Sequence, residues 1–405
     1  MTENNDIASQ SNDLRGDVSE LLAYVRNLPM ELLVTTGRTG SDFFHSLLDG
    51  HPEIICFHNH VYVAQFWRAK QCEESLPDLV NEFIWFRSED KFNLGLFKSQ
   101  YEKFERHDQL GKNKNEHYTV NLEKFSSCVL SLLHGIPLTF DNFFYSIHVA
   151  YALAQGEDIL KKKMIFYHPH HVTELKDFND LWKGRNYSIL CTIREPKNTL
   201  VSNINRWRYF EPETFRPAFV LYQHVRILEL CDPLLCLGRE INVLKLETLH
   251  QETERVLRAY CQRFKMTYFP SILLESTIAG KLWWGDVLMG KYVTGFNPAI
   301  DKEAWHGGMD KIDAFIFDTL NCQRASFYGY HDSSKKLRIV PRYLITLFLI
   351  PKLTQFEKGL ISDCLKRSGK VVSLTRIAFF YIKRLIIYYR RLFTNNASPS
   401  YGNVL

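Results

Sequence analysis

An α/β fold, a parallel sheet flanked by helices, is what this chain of 405 residues predicts, and three features of the sequence point to it. Two apolar runs, Leu32–Thr36 and Tyr187–Ile193, each end in a short polar turn that opens straight into a helical pattern. The stretch between them, residues 61–160, is aromatic, apolar and charged without the regular turn spacing of β-proteins, so it reads as inserted helices. Length alone allows two or three domains, but the span of these features favours one main domain at 30–330. A polar extension (1–29, with a helix) precedes it, and a basic tail (335–405) follows it.

The first junction reads Gly37-Arg38-Thr39-Gly40-Ser41-Asp42-Phe43, after which Phe43 and Phe44 pair with Leu47 and Leu48 at helical spacing. A Gly-rich turn feeding a helix exposes backbone N–H groups at the positive end of the macrodipole, worth about 0.3–2 kcal/mol to an anion. Arg38, Thr39 and Ser41 are placed to add side-chain contacts. No Gly-Lys-Ser or Gly-Lys-Thr follows the strand, which argues against a magnesium nucleoside triphosphate and for another phosphate ester.

Downstream, His51-Pro52-Glu53-Ile54-Ile55-Cys56-Phe57-His58-Asn59-His60 places His58 and His60 on one face if extended. A second group, Tyr167-His168-Pro169-His170-His171, follows the apolar Met164-Ile165-Phe166 and predicts a strand ending in histidines. Neither group comes with close further ligands, so no metal is expected. The second junction repeats the first: its strand runs into Arg194, Pro196 suits a first helical turn, and Leu200, Val201, Ile204 and Trp207 make the apolar stripe. Ser202 lies on the opposite face with Asn198, Asn205 and Arg206, where it can converge with Arg194 on a phosphate.

These blocks, in this order, resemble the sulfotransferase family, whose donor is 3'-phosphoadenosine 5'-phosphosulfate (PAPS) and whose fold is like that of P-loop kinases. Gly37 to Ser41, with Leu47-Leu48 and His51-Pro52, is similar to the loop that holds the 5'-phosphosulfate. Arg194-Glu195-Pro196 with Ser202 is similar to the 3'-phosphate site. Val243–Leu249 and Ser276–Asp286 add further similarity, the latter to a donor-covering loop, so the resemblance spans roughly residues 30–330.

The resemblance implies a PAPS-dependent sulfotransferase acting in line, without metal, on a hydroxyl or amine of a carbohydrate, lipid-linked or small-molecule acceptor. It implies donor contacts from Gly37, Arg38, Thr39, Gly40, Ser41, Asp42, Phe43, Arg194, Ser202, Gly280 and Lys281, with Arg38 as the cation on the bridging oxygen. For the base, His58 is the first choice and His60 the second, imidazole having the right unperturbed pKa; the competing reading is two ordinary polar or core histidines. His168 takes the place of a family lysine. Lys281 with Trp283 and Trp284 reads either as a donor lid or as a cap with core tryptophans. Asp42 departs from the family, which usually has a hydroxyl there. As a helix N-cap it would face away from the donor; inside the anion pocket it would oppose binding. That departure and the missing glutamate base keep open a non-catalytic nucleotide-binding protein that retains the fold. A nucleotide kinase would need the absent Gly-Lys-Ser/Thr.

Composition sets further bounds. Nine cysteines without repeated spacing suit reduced thiols and a cytoplasmic protein, and the polar first 30 residues show no signal sequence. The net charge of +5 is uneven: residues 335–393 carry 14 Lys and Arg against Glu357 and Asp363, leaving −7 elsewhere. Arg376, Lys383, Arg384, Arg390 and Arg391 run beside Ile377, Phe379, Phe380, Ile382, Leu385, Ile386 and Tyr389, an interfacial helix for an anionic membrane or a helix packed on protein. No nucleic-acid module accompanies the charge. Phe66, Trp67, Trp85, Phe86 and Phe97 are candidate walls of an acceptor pocket, with a core role as the competing reading. Acceptor identity and oligomeric state are not encoded in any local spacing.

Overall fold

The computed structural model describes residues 20–58, 60–70, 75–86, 110–116, 120–172, 174–210, 224, 228, 241–283, 285, 304–330, 339–366, 370–394 and 402–404. In chain order these form β1 (Met30–Thr35), α1 (Ser41–Leu48), β2 (Ile54–Ile55), α2 (Val63–Ala69), α3 (Leu76–Trp85), α4 (Leu122–Leu133), α5 (Phe140–Ala154) and β3 (Met164–His171). There follow α6 (Glu174–Leu181), β4 (Ser188–Ile193), α7 (Pro196–Phe210), β5 (Ile241–Lys245), α8 (Leu246–Gln251), α9 (Thr253–Arg263), α10 (Pro270–Leu273), β6 (Thr277–Ile278) and β7 (Lys281–Leu282). The chain ends in α11 (Lys311–Leu320), α12 (Cys322–Phe327), α13 (Ile339–Leu349), α14 (Gln355–Lys366), α15 (Lys370–Thr394) and β8 (Gly402–Val404).

The main sheet is parallel throughout, in the order β2-β3-β1-β4-β5-β8, with β8 a short edge strand. Period-two alternation sends its side chains into two layers. Leu32, Val34, Ile165, Tyr167, Ile189 and Val243 join the core under α4 and α5, while Leu33, Phe166, Leu190 and Leu244 join the core under α1 and α9. Each such fully buried large side chain contributes roughly 1.5–3 kcal/mol. Helices of the insertion start where the sequence supplies caps: Asn121 accepts from the Lys124 amide and Thr139 from the Asn142 amide. Phe66 packs with Phe83 and Phe143 and is core; Phe86, half-buried, packs on Phe66, Trp67 is half-buried on Phe140, Trp85 is exposed, and Phe97 lies outside the described residues.

Two features of this topology position the site. Strand β1 pairs with β3 on one side and β4 on the other, so the order of connections reverses there, and the crevice for a ligand lies beyond the carboxyl ends of these strands. In register, Thr35 of β1 sits opposite Thr192 of β4, two residues before Gly37 and Arg194 respectively. The two junctions read from sequence therefore open side by side. On the other flank, the register of β1 against β3 shifts between Leu32 and Val34, which pair with Tyr167 and His170. Pro169 has no N–H to give the ladder, and the extra residue is accommodated as a bulge with His170 at φ 78°.

Candidate functional site

The loop after β1 takes left-handed backbone angles at Gly37 (φ 95°), Arg38 (φ 52°) and Gly40 (φ 83°), as loops that gather N–H groups into an anion-binding concavity do, but the Gly37 N–H is itself committed to Thr35 Oγ1 at 2.9 Å. Gly40 is required twice over. Its φ disfavours a side chain, and a Cβ there would lie 2.3 Å from Leu246 Cδ1 at the start of α8. The Thr39 hydroxyl does not face the concavity: it is buried against Thr35 Oγ1 at 2.6 Å and donates to the Thr192 carbonyl at 2.8 Å. This corrects the side-chain contact expected of Thr39. Its hydroxyl ties the loop to the ends of β1 and β4, leaving only its backbone for an anion. Ser41 is buried at the first position of α1.

Arg38 and Ser202 meet: the Arg38 Nε–H reaches Ser202 Oγ at 3.4 Å, across 164 residues of sequence. Ser202 was expected beside Arg194. It bridges instead to Arg38, whose charge in turn acts on Arg194. Burial, with Arg38 adding, lowers the Arg194 pKa from its ordinary value, opposed by Glu247 and Glu195. The Arg194 Nε is buried without a hydrogen-bond partner. Two guanidinium groups in mutual repulsion, one desolvated, form a charge arrangement that a bridging dianion stabilises.

Three residues of this corner escaped the sequence reading of roles. Glu247, from the Leu-Lys-Leu-Glu block at the end of β5, accepts the Glu195 amide at 3.0 Å and the Tyr330 hydroxyl at 3.0 Å. His250 stacks on Phe43 with centroids 4.6 Å apart and planes 11° from parallel. Burial and the Arg194 charge pull its pKa down to about 4, so it is a neutral flat surface beside the cationic pocket. The signal for Glu247 was its position just beyond a strand; His250 and Tyr330 carried none.

The other flank of the loop is lined by histidines. His60 Nδ1 lies 3.9 Å from Asp42 Oδ1 and its ring stacks on His170 at 4.5 Å. His168 Nδ1 faces His45 Nδ1 at 3.1 Å, so one ring must donate and the other accept. Burial lowers the His45 pKa to about 4, against the pull of Asp49 and Asp42, which keeps that ring neutral. Asp42, His168 and His170 each offer a ligand atom within 4.8 Å of one another, a set able to take a divalent ion through N and O donors. The capping role considered for Asp42 is not taken: the N-cap is Gly40, with no side-chain bond, and Asp42 sits inside the first turn.

His58 is placed differently from the free base expected first. Its Nδ1 lies 2.5 Å from Asp49 Oδ1, with both groups buried. Burial would lower the His58 pKa, but the Asp49 charge and hydrogen bond outweigh it and the net shift is upward; Asp49 itself falls to about 2 although burial pushes the other way. The Nδ1 of this imidazole is therefore committed to a buried structural carboxylate that also holds the β6–β7 hairpin. Asp49 also accepts from Thr277 Oγ1 at 2.8 Å and from the Gly280 amide at 2.9 Å. The Gly280 N–H is thus committed to Asp49. Lys281 Nζ pairs with Glu116 Oε2 at 2.9 Å, and Trp283 is buried with Leu110 and Ile278. The Gly280 amide and the Lys281 amine thus meet Asp49 and Glu116 rather than the two arginines, while Phe43 packs against the Leu110–Ile278–Trp283 cluster and so links the β6–β7 hairpin to the loop after β1. Trp284 lies outside the described residues.

No protein-family model and no curated protein matches the chain. Among solved structures it is similar to the sulfotransferase domain from the Synechococcus PCC 7002 olefin synthase, with 14% identity and a TM-score of 0.36, covering 69% of this chain and 87% of that one. A likeness of that size carries no functional weight.

Proposed function

We propose that this chain is a PAPS-dependent sulfotransferase. The observation that carries the reading is the contact of Arg38 with Ser202 beside Arg194, which joins the two junction loops into one cationic crevice at the switch point of a parallel sheet. One anionic end of the donor sits on the N–H groups of residues 38–43 at the start of α1, since the Gly37 N–H is taken by Thr35 Oγ1, and the other on Arg194 with Ser202, while Phe43 and His250 offer a flat surface.

In the transfer, the acceptor oxygen forms a bond to sulfur as the bond from sulfur to the bridging phosphate oxygen breaks. Arg38 neutralises the charge that develops on that leaving oxygen. The acceptor proton passes to the imidazole of His60, which stacks on His170 and faces Asp42 at 3.9 Å. The products are the sulfated acceptor and adenosine 3',5'-bisphosphate, and no covalent enzyme intermediate is needed. Asp42 at the loop also favours a second reading, a nucleotide-binding protein without turnover.

The test is an acceptor screen with radiolabelled PAPS. The expected result is a labelled acceptor with release of the bisphosphate, lost in both Arg38→Ala and Arg194→Ala. Tight binding of the bisphosphate with no turnover on any hydroxylated or amine acceptor would favour the second reading.

A further inference from the structure

Of the large apolar side chains exposed among the described residues, most lie in the C-terminal helices, and they are not scattered. On α13, Leu344, Ile345 and Phe348 are exposed, Phe348 to 79%. On α15, Phe379, Ile382, Ile386 and Phe393 are exposed, and at 100° per residue they fall within an arc of about 60°. The opposite side of α15 is firmly packed: Ile377, Tyr388 and Leu392 join a core with α7, α11 and α14. Arg384, 2% exposed, donates to Glu357 at 2.7 Å and to the carbonyls of Ile350 and Lys352.

The two exposed strips are neighbours. Tyr389, on the flank of α15 adjoining its apolar arc, donates to the Leu347 carbonyl of α13, and Tyr381 donates to the Pro351 carbonyl just beyond it. On the other flank of the arc stand exposed Arg376, Lys383 and Arg390, with Lys383 Nζ 4.4 Å from the Phe379 ring centroid. Among the described residues no helix is long and apolar enough to cross a membrane.

From this arrangement we infer that α13 and α15 form a single footprint that seats the protein on an anionic lipid bilayer. Phe348, Phe379, Ile382 and Ile386 enter the acyl boundary, and Arg376, Lys383 and Arg390 stay at the headgroups. An apolar strip edged by cations fits such a surface in both chemistry and charge. The inference is independent of the reaction catalysed. It differs from the stripe legible in the sequence, which mixed inward and outward faces: Ile377 points into the protein, and α13 joins the outward face.

Full-length protein floated with vesicles of phosphatidylcholine and phosphatidylglycerol tests it, against vesicles of phosphatidylcholine alone. Binding is expected to the anionic vesicles, to fall at least tenfold between low and high salt, and to fall at least tenfold in Phe348→Asp/Ile386→Asp and in Lys383→Glu/Arg390→Glu with melting curves unchanged. Absence of binding, or binding unaffected by lipid charge and salt in the wild-type chain, would overturn it. So would a concentration-dependent dimer in light scattering that the Phe348→Asp/Ile386→Asp variant abolishes, since a second copy would then cover the face.

Discussion

At the scale of single residues, the proposed anion chemistry falls on Arg38, which is half-buried, and on Arg194, whose charge is desolvated. Alanine at either position is expected to lower sulfuryl transfer by about 10²–10³-fold, read from kcat/KM, with little change in melting temperature. The histidine cluster gives a second expectation. Replacement of His60 by alanine should cost about 10²-fold in kcat, and full activity in that variant would remove the proton acceptor assigned here. Because Asp42, His168 and His170 also match a divalent ion, added zinc should inhibit, whereas EDTA should leave activity intact; loss of activity in EDTA would make the ion part of the reaction. Thr39 shows how far residue type alone can be read. Its place in a Gly-rich turn was visible, but the hydroxyl's turn toward Thr192, 153 residues away, was set by strand pairing.

At the scale of elements, the loop between β1 and α1 depends on Gly40. A Gly40→Ala change would push a methyl group into Leu246 in a conformation that opposes it, and is expected to cost about 1–3 kcal/mol and most of the donor affinity. The β6–β7 hairpin depends on Asp49 and His58, and its stability should have a defined pH window. Asp49 is depressed in the fold, so its contribution is present above the ordinary carboxylate value and is lost as pH falls toward about 2. His58 is raised, so its contribution is full below its ordinary value near 6.5 and is lost as pH rises through its folded value. Melting temperature against pH should show both limbs, and His58→Ala, which strands a buried carboxylate, should cost about 3–5 kcal/mol and flatten the upper limb. Both junctions were legible because a βα turn is a local pattern of apolar run, glycine or proline, and helical stripe. The partners of Lys281 and Asp49 were not, since Glu116 and Gly280 reach them across 165 and 231 residues.

At the scale of the whole molecule, a parallel sheet with β1 at its switch point turns two distant loops into one crevice, and the bulge at His168-Pro169-His170 crowds histidines onto the same rim. The sequence showed that two cationic turns existed and in what order; their adjacency follows from β1 pairing with β4, which no spacing along the chain reveals. The C-terminal helices add a buried Arg384–Glu357 pair that anchors them. Arg384→Ala should therefore loosen the tail by about 3–5 kcal/mol, read as protease cleavage within 339–394, while leaving the exposed strip chemically unchanged. Both cationic turns are proposed to hold one adenylate by its opposite anionic ends. Calorimetric titration of the full-length protein with adenosine 3',5'-bisphosphate tests it most directly: one site per chain is predicted, weakened at least tenfold by Arg38→Ala and by Arg194→Ala separately. Absence of binding, or affinity untouched by either substitution, would contradict it.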